Sequence, residues 1–129
     1  MPIYTRITFH VWNELPDGTK VDTTPIANEV LIKVLNDIHL DAPLEHEEFD
    51  KSKQLEVLPV LKQVTELHKQ GVVRSGKKWE QFLLEKCATP TPNSCVFNAM
   101  AYKRANGGRI VIGKCGWKTR SGGVWWEWE

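Results

Sequence analysis

The segment Ala88-Thr89-Pro90-Thr91-Pro92-Asn93 restricts the fold of this chain more than any other. Each proline fixes its own φ, lacks an N–H and pushes the residue before it away from helical geometry, so no helix runs through this stretch. Whatever follows must start afresh, and Asn93 is a good N-cap for it. Gly107-Gly108 then supplies the stop signal. These marks frame a short helix with Cys95 near its second position.

The flanking segments read in the same way. Tyr4 to Trp12 alternates, with Ile7, Phe9 and Val11 on one side and Arg6, Thr8 and His10 on a polar side, the period of a half-buried strand. Leu15-Pro16-Asp17-Gly18 is turn chemistry, and the chain returns through Lys20-Val21 as a β-hairpin. Thr24-Pro25 opens a first helix with Val30, Leu31, Val34, Leu35 and Ile38 at helical spacing. Glu45-His46-Glu47-Glu48-Phe49-Asp50 reads as a solvated loop or short helical turn.

A second helix is expected from near Val57, because Pro59 is tolerated only in a first turn. Leu58, Leu61, Val64 and Leu67 form its stripe, Gly71 is its C-terminal cap, and Val72-Val73-Arg74 is an extended link. Ser75 caps a third helix with Trp79, Phe82 and Leu83 turned inward. Within the Cys95 helix, Val96, Phe97, Met100 and Ala101 are expected to face the core. Beyond Gly108, Arg109–Trp117 and Val124–Glu129 form two strands joined by Arg120-Ser121-Gly122-Gly123. This order predicts a single α+β domain over residues 1–129: an N-terminal hairpin, three helices, the Cys95 helix and a C-terminal antiparallel hairpin.

A chain of 129 residues with 41% hydrophobic and 26% charged residues can bury a core without disulfides or metal. No apolar run approaches a bilayer span and the start lacks a signal-peptide centre, so a soluble, cytoplasmic protein without membrane contact is expected. Cys87, Cys95 and Cys115 form no CxxC, and His10, His39, His46 and His68 are scattered, so neither a metal nor another cofactor is expected. The net charge of +1 hides a division. Residues 1–60 carry 5 Lys/Arg against 11 Asp/Glu, net −6, whereas residues 61–129 carry 12 against 5, net +7. The halves should attract across a shared core, or the basic half should present a face to an anionic partner.

Cys95 is the residue with the clearest chemical potential. A thiol in the first turn of a helix feels the positive end of the helix dipole and nearby backbone N–H groups, which favour thiolate. The same position also suits an ordinary small apolar residue. Asn98 and Ala99 follow over the same helical face.

The runs Asn93-Ser94-Cys95-Val96-Phe97-Asn98-Ala99, Gly107-Gly108-Arg109-Ile110-Val111 with Gly113, and Gly123-Val124-Trp125-Trp126-Glu127 resemble a family of small cysteine-containing domains with a papain-like core. The resemblance covers about a quarter of the chain, roughly Pro92 to Glu129. It implies Cys95 as nucleophile, with Asn98 and local backbone as oxyanion or positioning groups. The family pattern also places a basic histidine after the Glu-rich end of the hairpin, and this sequence has no histidine beyond Cys95. His10 is the substitute base, because permuted papain-like folds place His before Cys. His39 and His68 fall near helix C-termini, and His46 reads as exposed.

The second half offers an alternative surface. Lys77, Lys78, Arg104, Trp117, Lys118, Arg120 and Trp125 mix cations with aromatic faces, a combination suited to another protein or to single-stranded nucleic acid. The sequence therefore supports three functional expectations: an inhibitor- or adaptor-like binding protein, a cysteine hydrolase using Cys95 and His10, and a nucleic-acid binder.

Overall fold

A computed structural model describes residues 9–25, 45–92, 94–118 and 124–126, the last three and residues 117–118 by backbone alone. The strands are β1 (His10–Glu14), β2 (Lys20–Val21), β3 (Glu45–Glu48), β4 (Arg109–Lys118) and β5 (Val124–Trp126). The helices are α1 (Lys51–Arg74), α2 (Trp79–Ala88) and α3 (Cys95–Asn106). The expected α+β architecture is present, with both hairpins antiparallel. The first expected helix, over residues 26–38, lies outside the described residues, as does the start of the first strand.

β4 is the hub of the sheet. Along one edge it pairs antiparallel with β1, from His10↔Gly113 to Glu14↔Arg109, and then with β5. Along the other edge it pairs with β3, from Glu45↔Gly116 to Glu48↔Gly113. The acidic run read as a loop is therefore a strand. No apolar alternation announced it. It takes the open edge of β4, where Glu48 meets Arg109 at 2.7 Å and Glu47 meets Lys114 at 3.8 Å. Arg109 also pairs with Glu14 at 3.1 Å, so the acidic and basic halves do meet through the sheet.

Because strand side chains alternate, the register assigns two faces. Val11, Ile110 and Ile112 lie on one, and His10, Trp12, Gly113, Cys115 and His46 on the other. Val11 and Ile112 form the core with Val57 of α1 and Ala99 of α3, and Phe49, Leu61 and Val96 pack around them. On the same side, a groove of about 710 Å³ is lined by residues including Leu58, Leu61, Val96, Met100 and Ile110. A second aromatic cluster joins the helices. Trp79 stacks on Phe82 with ring centroids 5.0 Å apart, and His68 stacks on Phe97 at 4.3 Å.

α1 is longer at both ends than its prolines and glycines suggested. Asp50 caps it by accepting from the Lys53 N–H at 2.8 Å, so the helix starts two turns before Pro59 rather than at it. An interior proline costs about 3 kcal/mol, which the complete burial of neighbouring Val57 helps to offset. Gly71 and the expected link Val72–Arg74 are helical. Ser75 closes α1 instead of opening α2, its Oγ donating to the Val72 carbonyl at 2.6 Å. Two glycines end α3, Gly107 and Gly108, at φ +78° and +84°. At Gly108 a Cβ would also stand 2.5 Å from the Glu14 carbonyl oxygen.

Candidate active site

His10 opens β1 on the face opposite Val11. The expected polar, solvent-facing position is not what the fold provides, since only 11% of this side chain is exposed. Trp12, two residues on, is buried on the same face and stacks against the imidazole with centroids 6.1 Å apart. Both faces of the strand are covered, so its polar residues must find internal partners.

Asp22 provides that partner. It follows β2, where its Oδ1 accepts from the Thr24 N–H at 3.2 Å and fixes the carboxylate. Its Oδ2 lies 2.7 Å from His10 Nε2 and 2.8 Å from His46 Nε2. An ionised carboxylate only accepts hydrogen bonds, so both Nε2 atoms carry the protons they share with it. His46 was read as exposed in an acidic loop. Instead β3 turns it inward, 10% exposed, with its ring 4.8 Å from that of Trp12.

The thiols of Cys115 and Cys95 also act on the His10 side chain, both favouring its charged form. Cys115 reaches the site from β4, directly across from His46. Cys95 reaches it as the first residue of α3, one place earlier than its expected position. Burial works against charge on the His10 ring. The Asp22 hydrogen bond, the Cys115 and Cys95 thiols and the Asp22 charge overcome it and push the pKa up to about 12. For Asp22, burial favours the neutral acid, yet both imidazoles and the Thr24 N–H hold the carboxyl well below its ordinary range. At neutral pH the pair is an imidazolium and a carboxylate.

Asn98 is 1% exposed, and its amide is already engaged. Nδ2 donates to the Thr91 carbonyl at 2.8 Å and to Thr24 Oγ1 at 3.0 Å, while Oδ1 accepts from the Thr91 N–H at 3.3 Å. It thus ties the proline connector and the Asp22-Thr23-Thr24 turn to α3, a positioning role for both sides of the site. On α3 the buried residues are Phe97, Asn98, Ala99 and Ala101, so Asn98 replaces Val96 and Met100 in the innermost set. Ser94 occupies the N-cap without a side-chain bond to the helix, and Asn93 lies outside the described residues.

The expected binding residues are not gathered in the same way. Lys77 is paired with Glu85 at 2.6 Å, Arg104 is paired with Glu80, and Lys78 is exposed at the start of α2. Arg120 and the side chains of Trp117, Lys118 and Trp125 lie outside the described structure. Two of the scattered histidines, by contrast, do converge: His10, His46 and Asp22 present ligand-type atoms within 4.8 Å of one another, whereas His68 stacks on Phe97 and His39 lies outside the described residues. Sequence spacing missed Asp22, His46 and Cys115 because they arrive on separate elements. The one local signal was Asp22-Thr23-Thr24, an Asx-turn sequence that can fix a carboxylate.

Comparisons with protein-family models, curated proteins and solved structures found no match for this chain. No described helix is long and apolar enough to cross a membrane.

Proposed function

We propose that this protein is a thiol-dependent catalyst of acyl transfer, with Cys95 as nucleophile, His10 as proton carrier and Asp22 as the group that orients His10. The single observation behind this reading is that one buried imidazole has the Asp22 carboxylate 2.7 Å from Nε2, with the Cys95 thiol at the start of α3 also favouring its charged form. With Nε2 given to Asp22, proton exchange with a thiol falls to Nδ1. The thiolate attacks a carbonyl carbon, forming the S–C bond. The proton carried by His10 passes to the departing amine or alcohol as its bond to that carbon breaks, and water then releases the acyl group. Backbone N–H groups in the first turn of α3 are suited to stabilising the oxyanion. The base lies before the cysteine in the chain, the order of permuted papain-like folds, whereas the family that the sequence resembles places it after.

Cysteine-directed alkylation in the presence of a chelator, followed by peptide mapping, tests the reading. Cys95 should react at least tenfold faster than Cys87, which is also half-buried. His10→Asn should remove that advantage while leaving the Cys87 rate unchanged. Equal rates at Cys87 and Cys95 in the wild-type chain would refute the proposal. The binding readings have less support, because Lys77 and Arg104 already hold carboxylate partners.

A further inference from the structure

The arrangement around Asp22 has more convergence than a catalytic base requires. An orienting carboxylate needs one imidazole, yet here His10 and His46 aim their Nε2 atoms at the same Oδ2, at 2.7 and 2.8 Å. The three side chains are 11%, 7% and 10% exposed and come from β1, the turn after β2, and β3. The ligand-type atoms of His10, Asp22 and His46 all lie within 4.8 Å of one another, whereas Cys115, opposite His46 on β4 and 2% exposed, is not in that group. Trp12 stacks against His10 and tilts over His46, giving the cluster an apolar wall.

We infer that His10, Asp22 and His46 form a zinc-binding site whose fourth position is left to water or a ligand. Two imidazole nitrogens and a carboxylate oxygen suit this borderline-soft, four-coordinate ion, whereas Mg²⁺ and Ca²⁺ take mainly oxygen ligands. Charge also favours it. A divalent cation with one carboxylate, two neutral imidazoles and a bound hydroxide is a neutral unit, which suits a buried position. Zinc ligands at about 2.0–2.3 Å in tetrahedral array stand roughly 3.3–3.6 Å apart. The Nε2–Oδ2 separations need only open by somewhat more than half an ångström to admit the ion, replacing the shared protons. Sheet pairing of β1 and β3 to the same strand β4 holds the two histidines in place.

This inference does not depend on Cys95 being a nucleophile, because Cys95 is not among the ligands. It does make the two uses of His10 mutually exclusive, since zinc takes the nitrogen that Asp22 orients. The test uses the full chain stripped with a chelator, titrated with Zn²⁺ by calorimetry and with Co²⁺ by absorption. One equivalent should bind with a Kd of about 1 µM or lower. Co²⁺ should give the visible bands of a tetrahedral site without an ultraviolet thiolate charge-transfer band.

His46→Gln should weaken binding by well over tenfold, whereas Cys95→Ser and Cys115→Ser should each still bind one equivalent and keep the visible bands. Failure of the wild-type chain to bind Zn²⁺, a measurement that needs no variant to fold, would overturn the inference. A thiolate charge-transfer band in the wild-type chain, lost in either cysteine variant, would overturn the ligand set. Because the alkylation assay is run with chelator present, failure of zinc binding and failure of the thiol-catalyst reading are separate results.

Discussion

Replacing Asn98 by Ala should destabilise the protein by about 2–4 kcal/mol. The side-chain amide is 1% exposed and makes two hydrogen bonds of ordinary length, to Thr91 O at 2.8 Å and Thr24 Oγ1 at 3.0 Å. Each contributes about 1 kcal/mol net, and the longer bond from Thr91 N, at 3.3 Å, contributes less. Truncation also strands the Thr91 N–H and carbonyl, whose desolvation costs roughly 1–3 kcal/mol each when buried and less here because Thr91 is half-buried. For a chain of 129 residues, an unfolding entropy of about 2.1 cal/mol/K per residue makes 1 kcal/mol worth roughly 4 °C. The expected fall in Tm is therefore about 7–15 °C, read by circular dichroism and checked by urea denaturation. Thr24→Ala removes only one of these bonds and should cost about 1 kcal/mol, with the two changes less than additive. A loss below about 0.5 kcal/mol in Asn98→Ala would refute the argument that this amide staples the connector to the helix.

Three other outcomes are expected. Gly113→Ala should prevent stable folding or cost more than about 3 kcal/mol, since a Cβ there would collide with the Glu47 carbonyl and lie 2.5 Å from the Trp12 ring; a soluble variant with wild-type Tm would contradict the sheet geometry. In metal-free protein, the raised His10 pKa contributes stability that is complete below about pH 6.5 and lost as pH rises toward 12, while the depressed Asp22 pKa contributes stability present above about pH 3.9 and lost in acid. Unfolding free energies from urea titrations should consequently fall from pH 7 to 9, by up to about 1.4 kcal/mol per pH unit, and a profile that is flat there would count against the ion pair. Arg109→Ala should cost under about 1 kcal/mol despite losing contacts to Glu14 and Glu48, because the Arg109 side chain is 54% exposed; a larger loss in chemical denaturation would show that this pair is worth more than solvent screening allows.

The parts of the fold that were legible are those whose signal is local. The Pro16-Asp17-Gly18 turn, the return at Lys20-Val21, the restart after Pro92 and the stop at Gly107-Gly108 all reflect backbone limits that act within a few residues. The edges of α1 were misread for a related reason. Pro59 and Gly71 disfavour a helix by amounts that capping and packing can offset, and here the Asp50 cap and buried Val57 do so. β3 carries no hydrophobic period at all, being Glu-His-Glu-Glu, so nothing short of its pairing with β4 could reveal it.

The sequence by itself determined a helix with Cys95 at its start, a hairpin on each side of the helical segment, and His10 on the strand that precedes them. Those are consequences of φ restrictions, capping and alternation, which operate between near neighbours. Only the tertiary structure decided which groups Cys95 and His10 would meet. Burial of Trp12 closes the polar face of β1, and β4 draws β1 and β3 to its two edges. In that enclosed space two imidazoles and a carboxylate have little water to solvate them, so each is held by the others. That mutual dependence among residues distant in sequence turns isolated features into a candidate site.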